Sequence, residues 1–181
     1  MTKRYEGIFF LLEFSLGCYI LVCGRKERNM KAYFYDTKIG IITIREDDGK
    51  ITGVHFGENG QGCEMEETPV ICDAIRQLEE YFSGKRKTFD LPLSPQGTDF
   101  QQKVWKALQE VPYGKTASYK DIAVRVGNAK ACRAAGMANN RNPIAIIIPC
   151  HRIVGSSGKL VGYAGGLNIK EELLKLERLH S

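Results

Sequence analysis

From Met30 onward, apolar and polar residues first alternate along the chain, and this alternation predicts β-strands. Three stretches, 31–36, 40–45 and 51–56, are rich in the β-branched and aromatic side chains that favour strands. The sequence DDGK at 47–50 is typical of a hairpin turn between the last two. This part of the chain is therefore expected to form a small sheet.

The spacing of apolar residues then becomes helical. Pro69 suits the first turn of a helix, and Gly84 is expected to end it. The apolar face would consist of Val70, Ile71, Ala74, Ile75, Leu78 and Phe82. The following segment LPLSPQGT, at 91–98, contains proline and glycine and predicts a linker between two domains.

Beyond the linker the pattern is mainly helical. Thr98 is a good N-cap for one helix and Ser118 for a second, and a third is expected at about 130–140. Short helices joined by a tight glycine turn suggest a helix-turn-helix unit. The last predicted elements are a short β-hairpin, or wing, within 152–163 and an amphipathic helix at 167–179.

These elements together predict an α+β protein of two domains. A small N-terminal α/β domain at 30–92 would precede a winged helix-turn-helix-like domain at 95–181. Residues 1–29 contain an apolar run of about 17 residues, short of the ~20 needed to span a bilayer, with an acidic residue inside it. They could be a start-site artefact before Met30, or an extension that packs on the domain or touches a membrane, and no function is assigned to them.

Charge is distributed unevenly along the 181 residues. Residues 1–94 carry 13 basic and 15 acidic side chains, whereas residues 95–181 carry 13 basic and only 6 acidic ones. Seven basic residues and no acidic one lie between Asp121 and Glu171. Such a stretch attracts polyanions, and nucleic acid is the first candidate, although a generic basic face is equally consistent with charge alone.

The six cysteines show no CxxC pair and no Cys/His spacing of a zinc site, so no metal is expected. The size and ordinary composition of the chain argue against a disulfide scaffold and indicate reduced thiols in a cytoplasmic protein.

Cys150 and His151 are the strongest candidates for a reactive pair of side chains. A cysteine is nucleophilic as its thiolate, and a basic neighbourhood such as that of Arg152 favours this form. The adjacent histidine could take the thiol proton directly or through water. Taken alone, such a pair is more often a core cysteine beside an incidental histidine.

The surrounding sequence favours the chemical interpretation. Residues 133–166 read RAAGMANNRNPIAIIIPCHRIVGSSGKLVGYAGG, preceded by VPYGKTASYKDIA at 111–123 and followed by GYAGGLNIKEELLKLE at 162–177. With these motifs in order, and with PCHR at their centre, the chain closely resembles the O6-alkylguanine-DNA alkyltransferases. The resemblance is strong over about 95–178 and loose over 30–94, and it implies a ribonuclease-H-like fold for the N-terminal domain.

The resemblance implies four residues at the reaction centre. Cys150 would accept the alkyl group, and His151 would take its proton through a water molecule. Glu177 would orient the imidazole and stabilise its charged form, which is the logic of a catalytic triad. Asn142 would brace the active-site turn. Without the resemblance, Glu177 would be a solvated helix charge and Asn142 a turn residue.

The resemblance also implies a DNA-binding surface and a base pocket. Arg133 would fill the gap left by a flipped-out guanine, and Tyr119 would press on the 3′ phosphate. The small-residue helix around Arg133 would enter the minor groove and bring Ala134, Gly136 and Arg141 to the DNA. The guanine pocket would be shaped by Tyr163, Ala164, Gly165 and Pro149, although Tyr163 could instead be ordinary packing.

The expected function is thus DNA repair by stoichiometric transfer of an alkyl group from guanine O6, with O4-alkylthymine left open, to Cys150. The expected partner is double-stranded DNA bearing alkylated guanine; no cofactor and no membrane partner are expected, and the protein should be a monomer. Two alternatives stay open: a lesion-sensing DNA-binding protein without transfer, and a cysteine hydrolase using Cys150 and His151. The former lacks an acceptor cysteine, and the latter would not need the basic stretch.

Overall fold

The computed structural model describes residues 30–181. Its N-terminal half consists of β1 (Lys31–Thr37), β2 (Gly40–Asp47), β3 (Lys50–Phe56), β4 (Glu64–Met65) and α1 (Pro69–Phe82). The strands form one sheet in the order β3-β2-β1-β4, in which β2 is antiparallel to both its neighbours and β4 is parallel to β1. The short strand β4 has two exposed residues and no apolar alternation, so it was not predicted from the sequence.

Helix α1 covers this sheet with its apolar face. Thr68 caps its first turn by accepting a hydrogen bond from the Ile71 backbone N–H. Leu78 and Tyr81 are completely buried on the inner side. Gly84, at a φ of 75°, follows the helix end in the left-handed conformation that glycine adopts most readily.

The C-terminal half is built around four helices. Its elements are α2 (Asp99–Gln109), β5 (Ala117–Ser118), α3 (Tyr119–Arg125), α4 (Cys132–Asn140), β6 (Ile153–Val154) and α5 (Leu167–Leu179). Thr98 and Ser118 both form capping boxes, with Gln101 and Asp121 respectively, as their positions predicted. The Trp105 indole N–H donates to the Ala138 carbonyl at 2.9 Å and fixes α2 against α4.

Within 152–163 the backbone turns back at Gly155, whose N–H donates to the Lys159 carbonyl at 2.9 Å, but no second strand follows. The prediction of a β-hairpin was therefore wrong. Strand β6 pairs instead in parallel with β5, through Ile153 and Val154. The buried Lys170 Nζ donates to the carbonyls of Ile153 (2.6 Å) and Val161 (2.9 Å), so a side chain rather than a second strand holds the two ends of the segment. The wing is therefore a loop closed over α5.

The edge strand β3 joins the two halves. Val54 N–H donates to the Pro143 carbonyl at 2.9 Å, and its own carbonyl accepts from Ala145 N–H at 3.0 Å. Ile51 makes equivalent bonds to the connector, at Pro92 and Ser94. The N-terminal sheet thus fixes the backbone that leads into Cys150.

Within residues 30–181, no helix is both long and apolar enough to cross a membrane. The alternatives offered for residues 1–29 lie outside the described residues.

Candidate active site

Cys150 begins a single turn of 3-10 helix, Cys150–Arg152, which follows the buried apolar segment 144–149. Within that segment Ile146 has a φ of 70°, a conformation that is unfavourable for a β-branched residue. Asn142 holds the turn in place. Its side-chain amide donates to the Ile148 carbonyl at 2.8 Å and its side-chain oxygen accepts from Ile144 N–H at 3.1 Å.

The Cys150 thiol is buried, with 4% of the residue exposed. Burial raises the pKa of the thiol, although the Asn142 amide, which donates to Sγ at 3.1 Å, and the charge of Lys170 act in the opposite direction. The expectation that basic surroundings favour the thiolate is therefore outweighed by desolvation. Such a thiol needs a base at the moment of reaction.

His151 is completely buried and lies against Glu177. Its Nε2 is 2.8 Å from Glu177 Oε1, whereas its Nδ1 has no hydrogen-bond partner among the described residues. Burial lowers the pKa of His151, against the raising effect of Glu177. A neutral imidazole that donates from Nε2 leaves Nδ1 free to accept a proton.

Glu177 is the hub of this buried polar cluster and is itself completely buried. Besides His151, it accepts hydrogen bonds from Arg152 Nε at 3.0 Å, from Gly114 N–H at 3.0 Å and from the Tyr81 hydroxyl at 2.8 Å. Burial would raise the pKa of Glu177, but the hydrogen bonds and charges of His151 and Arg152 outweigh it and bring the pKa to about 2. Glu177 is therefore a carboxylate at neutral pH.

Arg152 does not act as a free positive charge beside the thiol, as the sequence had suggested. Its guanidinium is buried, pairs with Glu177 and donates from Nη1 to the Val111 carbonyl at 2.6 Å. Lys170 is likewise buried. Two of the seven basic residues between Asp121 and Glu171 are thus internal, and the other five are left to form the surface charge.

The predicted DNA-binding residues cluster on α3 and α4. Tyr119, at the start of α3, packs against α4 at Gly136, where an added Cβ would lie 3.5 Å from the tyrosine ring. Its hydroxyl reaches the Val161 carbonyl at 3.4 Å. Arg133, Ala134 and Arg141 are exposed. The small residues of α4 therefore let α3 pack closely against it, while the outer face of α4 stays exposed.

Of the predicted pocket residues, Tyr163 lies beside His151. The Tyr163 ring meets the His151 ring edge-on, with centroids 6.5 Å apart, and its hydroxyl is buried without a hydrogen-bond partner among the described residues. Pro149 is buried directly before Cys150, and Ala164 is exposed. At Gly165 an added Cβ would lie 2.7 Å from the Phe56 ring, so this position requires a residue without a side chain.

Sequence reasoning missed Tyr81, Phe56 and the structural role of Lys170. Tyr81 was invisible because it sits on the apolar face of α1, where an aromatic residue is ordinary core. Phe56 ends a strand 107 residues before Tyr163 in the chain, yet their rings meet with centroids 5.5 Å apart. For Lys170 a signal was present, since it falls on the apolar stripe of α5.

No group of three potential metal-ligating side chains comes together within residues 30–181. The site consists instead of a thiol, an imidazole, a carboxylate and a guanidinium. That set can move a proton from sulfur to nitrogen and stabilise the resulting charge, as required for attack by a cysteine nucleophile.

Comparisons with known proteins match the chain over both halves. Residues 30–95 match the family model described as the 6-O-methylguanine DNA methyltransferase ribonuclease-like domain. Residues 99–179 match the DNA-binding domain of the same family. The predicted α+β class, with a ribonuclease-like domain before a helical DNA-binding domain, is confirmed.

Relatives named methylated-DNA–protein-cysteine methyltransferase include one from Methanosarcina acetivorans, 51% identical over 148 residues, which are 79% of this chain and 95% of the relative. Another, from Bacillus subtilis and named constitutive, is 48% identical over 80% of this chain and 93% of its own length. A relative from Methanosarcina barkeri is 70% identical over 105 residues, which span 58% of this chain and 66% of that protein. Among solved structures, Mycobacterium tuberculosis OGT in complex with DNA matches with a TM-score of 0.79 and 44% identity, over 83% of this chain and 94% of that one.

Proposed function

Because this chain belongs to the 6-O-methylguanine DNA methyltransferase family, we propose that Cys150 is the cysteine to which it transfers the alkyl group. The protein is a methylated-DNA–protein-cysteine methyltransferase, which repairs DNA by alkyl transfer. One observation carries the assignment. Of the four cysteines in the described residues, Cys150 is the buried one, and it adjoins the His151–Glu177 pair.

The proposed reaction is displacement at the alkyl carbon of an O6-alkylguanine. The Cys150 proton passes through a water molecule to Nδ1 of His151, and Glu177 stabilises the imidazolium across Nε2. Sulfur then forms a bond to the alkyl carbon while the carbon–O6 bond breaks, and the electron pair stays on guanine, which takes up a proton. The thioether product has no ionisable proton and is a poor leaving group, so each molecule acts once.

Tyr163 supports a base pocket next to this thiol. A flipped-out guanine needs an aromatic or apolar wall and donors for its acceptor atoms. We propose that the Tyr163 ring supplies the wall, and that Ala164 and Gly165 bring backbone N–H groups close to the base, with Pro149 below it. The close approach of Gly165 to Phe56 keeps this segment against the N-terminal domain.

DNA is the partner of this protein family, and we propose that α4 enters its minor groove. Arg133 is exposed near the start of α4, as a side chain that replaces a flipped base must be. Tyr119 packs against Gly136 of α4, and we propose that it presses on the 3′ phosphate of the lesion. Ala134 and Arg141 would make contacts that do not depend on base sequence, which suits repair of lesions in any context.

We also propose that the lesion is alkylated guanine and that the protein is a monomer. Sedimentation equilibrium would test the monomeric state. The cytoplasmic assignment agrees with the four free thiols of the described residues. A lesion sensor without transfer remains the alternative function, but the acceptor thiol and its base argue against it.

The decisive experiment is incubation with duplex DNA carrying one O6-methylguanine, followed by mass analysis of the protein's peptides. We expect one methyl group in place of the thiol proton on the Cys150 peptide, in one molar equivalent. Cys150→Ser should take up no methyl group and should still bind DNA. Cys132→Ser is the matched control and should transfer normally. Methyl on Cys132 or another cysteine would overturn the assignment, and binding without transfer by the unmodified protein would favour the lesion sensor.

A further inference from the structure

We propose that Tyr81, from the N-terminal domain, is a positioning residue for the transfer reaction. Its hydroxyl donates to the same oxygen of Glu177 that pairs with His151. It thereby limits how strongly Glu177 favours the imidazolium and keeps His151 in the neutral form that accepts the thiol proton. The inference rests on the proposed role of His151 as that base.

The geometry places the tyrosine hydroxyl between the two groups it would influence. Tyr81 Oη lies 2.8 Å from Glu177 Oε1 and 3.4 Å from His151 Nε2. The shorter contact is the hydrogen bond, with the hydroxyl as donor to the carboxylate. Burial and the neighbouring Glu177 charge raise the pKa of Tyr81, so the hydroxyl keeps its proton and remains a donor.

The ring that carries this hydroxyl is held by packing from several directions. Tyr81 is completely buried in the last turn of α1. Its ring centroid is 5.6 Å from that of Phe82, 5.5 Å from that of Phe89 and 6.0 Å from that of Tyr113. Because the ring cannot turn away, the hydroxyl is a fixed dipole aimed at Glu177.

Titratable groups face His151 from four parts of the chain. Helix α5 supplies Glu177 and Lys170, the 3-10 turn supplies Arg152, α1 supplies the neutral Tyr81, and the segment before α5 supplies the Tyr163 ring. Glu177 is the anion that favours a charged imidazole, whereas Arg152 and Lys170 oppose it. Each hydrogen bond that Glu177 accepts disperses the negative charge of the carboxylate. The carboxylate therefore attracts a proton on His151 less strongly.

Replacement of Tyr81 should therefore raise the pKa of His151. The hydrogen bond from Tyr81 to the carboxylate is charge-assisted, and its loss should appear as a rise of about one pKa unit in His151. At pH values below both the original and the raised pKa, the fraction of neutral His151, and with it the transfer rate, would fall about tenfold. Above it the rate should be unchanged, since His151 is neutral in both proteins.

The experiment compares Tyr81→Phe with Tyr113→Phe in single-turnover transfer from O6-methylguanine duplex DNA between pH 5.5 and 9. The control removes a buried hydroxyl that has no hydrogen-bond partner among the described residues, from a ring in contact with Tyr81. We expect the acidic limb of the rate profile to move to higher pH in Tyr81→Phe and to stay in place in Tyr113→Phe. The His151 pKa, followed by the ring ¹⁵N resonances of the free protein, should move in parallel.

Two further measurements separate the possible outcomes. In a Glu177→Gln background, Tyr81→Phe should cause no additional shift, because the hydroxyl acts through the carboxylate. A Tyr81→Phe protein that is slower by the same factor at every pH, with lower stability in urea, would show a purely structural tyrosine and overturn the inference. A pH–rate profile of Tyr81→Phe that superimposes on that of the unsubstituted protein would also overturn the inference. Absence of transfer in the unsubstituted protein would instead refute the proposed function.

Discussion

Glu177 should make the stability of this protein depend on pH in the acidic range. Its carboxylate is completely buried and holds together α5, the 3-10 turn, the loop at Gly114 and α1. The pKa of Glu177 is about 2 in the folded protein against a reference value of 4.5. Because the folded pKa is depressed, the contribution to stability is complete above pH 4.5 and is lost as the pH falls towards 2.

The magnitude follows from the difference between these two values. A shift of about 2.5 pKa units at about 1.4 kcal/mol each corresponds to about 3 kcal/mol of folding free energy. This is a large part of the 5–15 kcal/mol that is typical of a small protein. Because burial alone would raise the pKa of Glu177, the net lowering comes from its partners, of which Arg152 bears a permanent charge.

The assay is urea unfolding at a series of pH values between 7 and 2.5, for the unsubstituted protein and for Glu177→Gln. The amide keeps the shape but does not titrate, so the variant should be about 3 kcal/mol less stable at pH 7 and the difference should shrink as the pH falls. Glu172→Gln changes an exposed carboxylate of the same helix and should follow the unsubstituted protein. A Glu177→Gln protein as stable at pH 7 as the unsubstituted one would refute the reasoning.

Three further predictions concern the reaction, and a fourth concerns DNA binding. His151→Ala should slow transfer by ~10²–10⁴-fold near neutral pH and leave DNA binding intact; full-rate transfer would remove His151 as the base. Asn142→Ala should raise the pKa of the Cys150 thiol, because it removes the hydrogen-bond donor to Sγ. Thiolate absorbance at 240 nm measures this pKa, and an unchanged value would mean that the bond has no effect. Arg133→Ala should slow repair of duplex DNA far more than reaction with free O6-benzylguanine, which needs no base flipping; equal losses would mean that Arg133 supports the fold. Binding should also weaken steeply with salt, by ~0.9 in log–log slope for each phosphate contact, and a flat dependence would contradict a phosphate-contacting surface.

Local signals in the sequence were sufficient for most elements of the fold. Alternation and the DDGK turn predicted β1 to β3, and Thr98 and Ser118 marked two helix starts because capping needs only residues within one turn. The wing at 152–163 was predicted wrongly, since Ile153 and Val154 pair with β5, and a strand partner so distant in the chain leaves no local signal in the sequence.

The sequence by itself also determined the family and the identity of the acceptor candidate, because the motif around Cys150 lies in one contiguous stretch. Only the tertiary structure decided how that thiol is surrounded. Burial, a property of the whole fold, raises the pKa of Cys150 although the residues beside it are basic. The tertiary structure also pairs Arg152 with Glu177. It brings the hydroxyl of Tyr81, 96 residues before Glu177 in the chain, to the same carboxylate. Periodicity alone cannot reveal such a contact, because a tyrosine on an apolar helix face gives the same pattern whether or not its hydroxyl has a partner across the domain boundary.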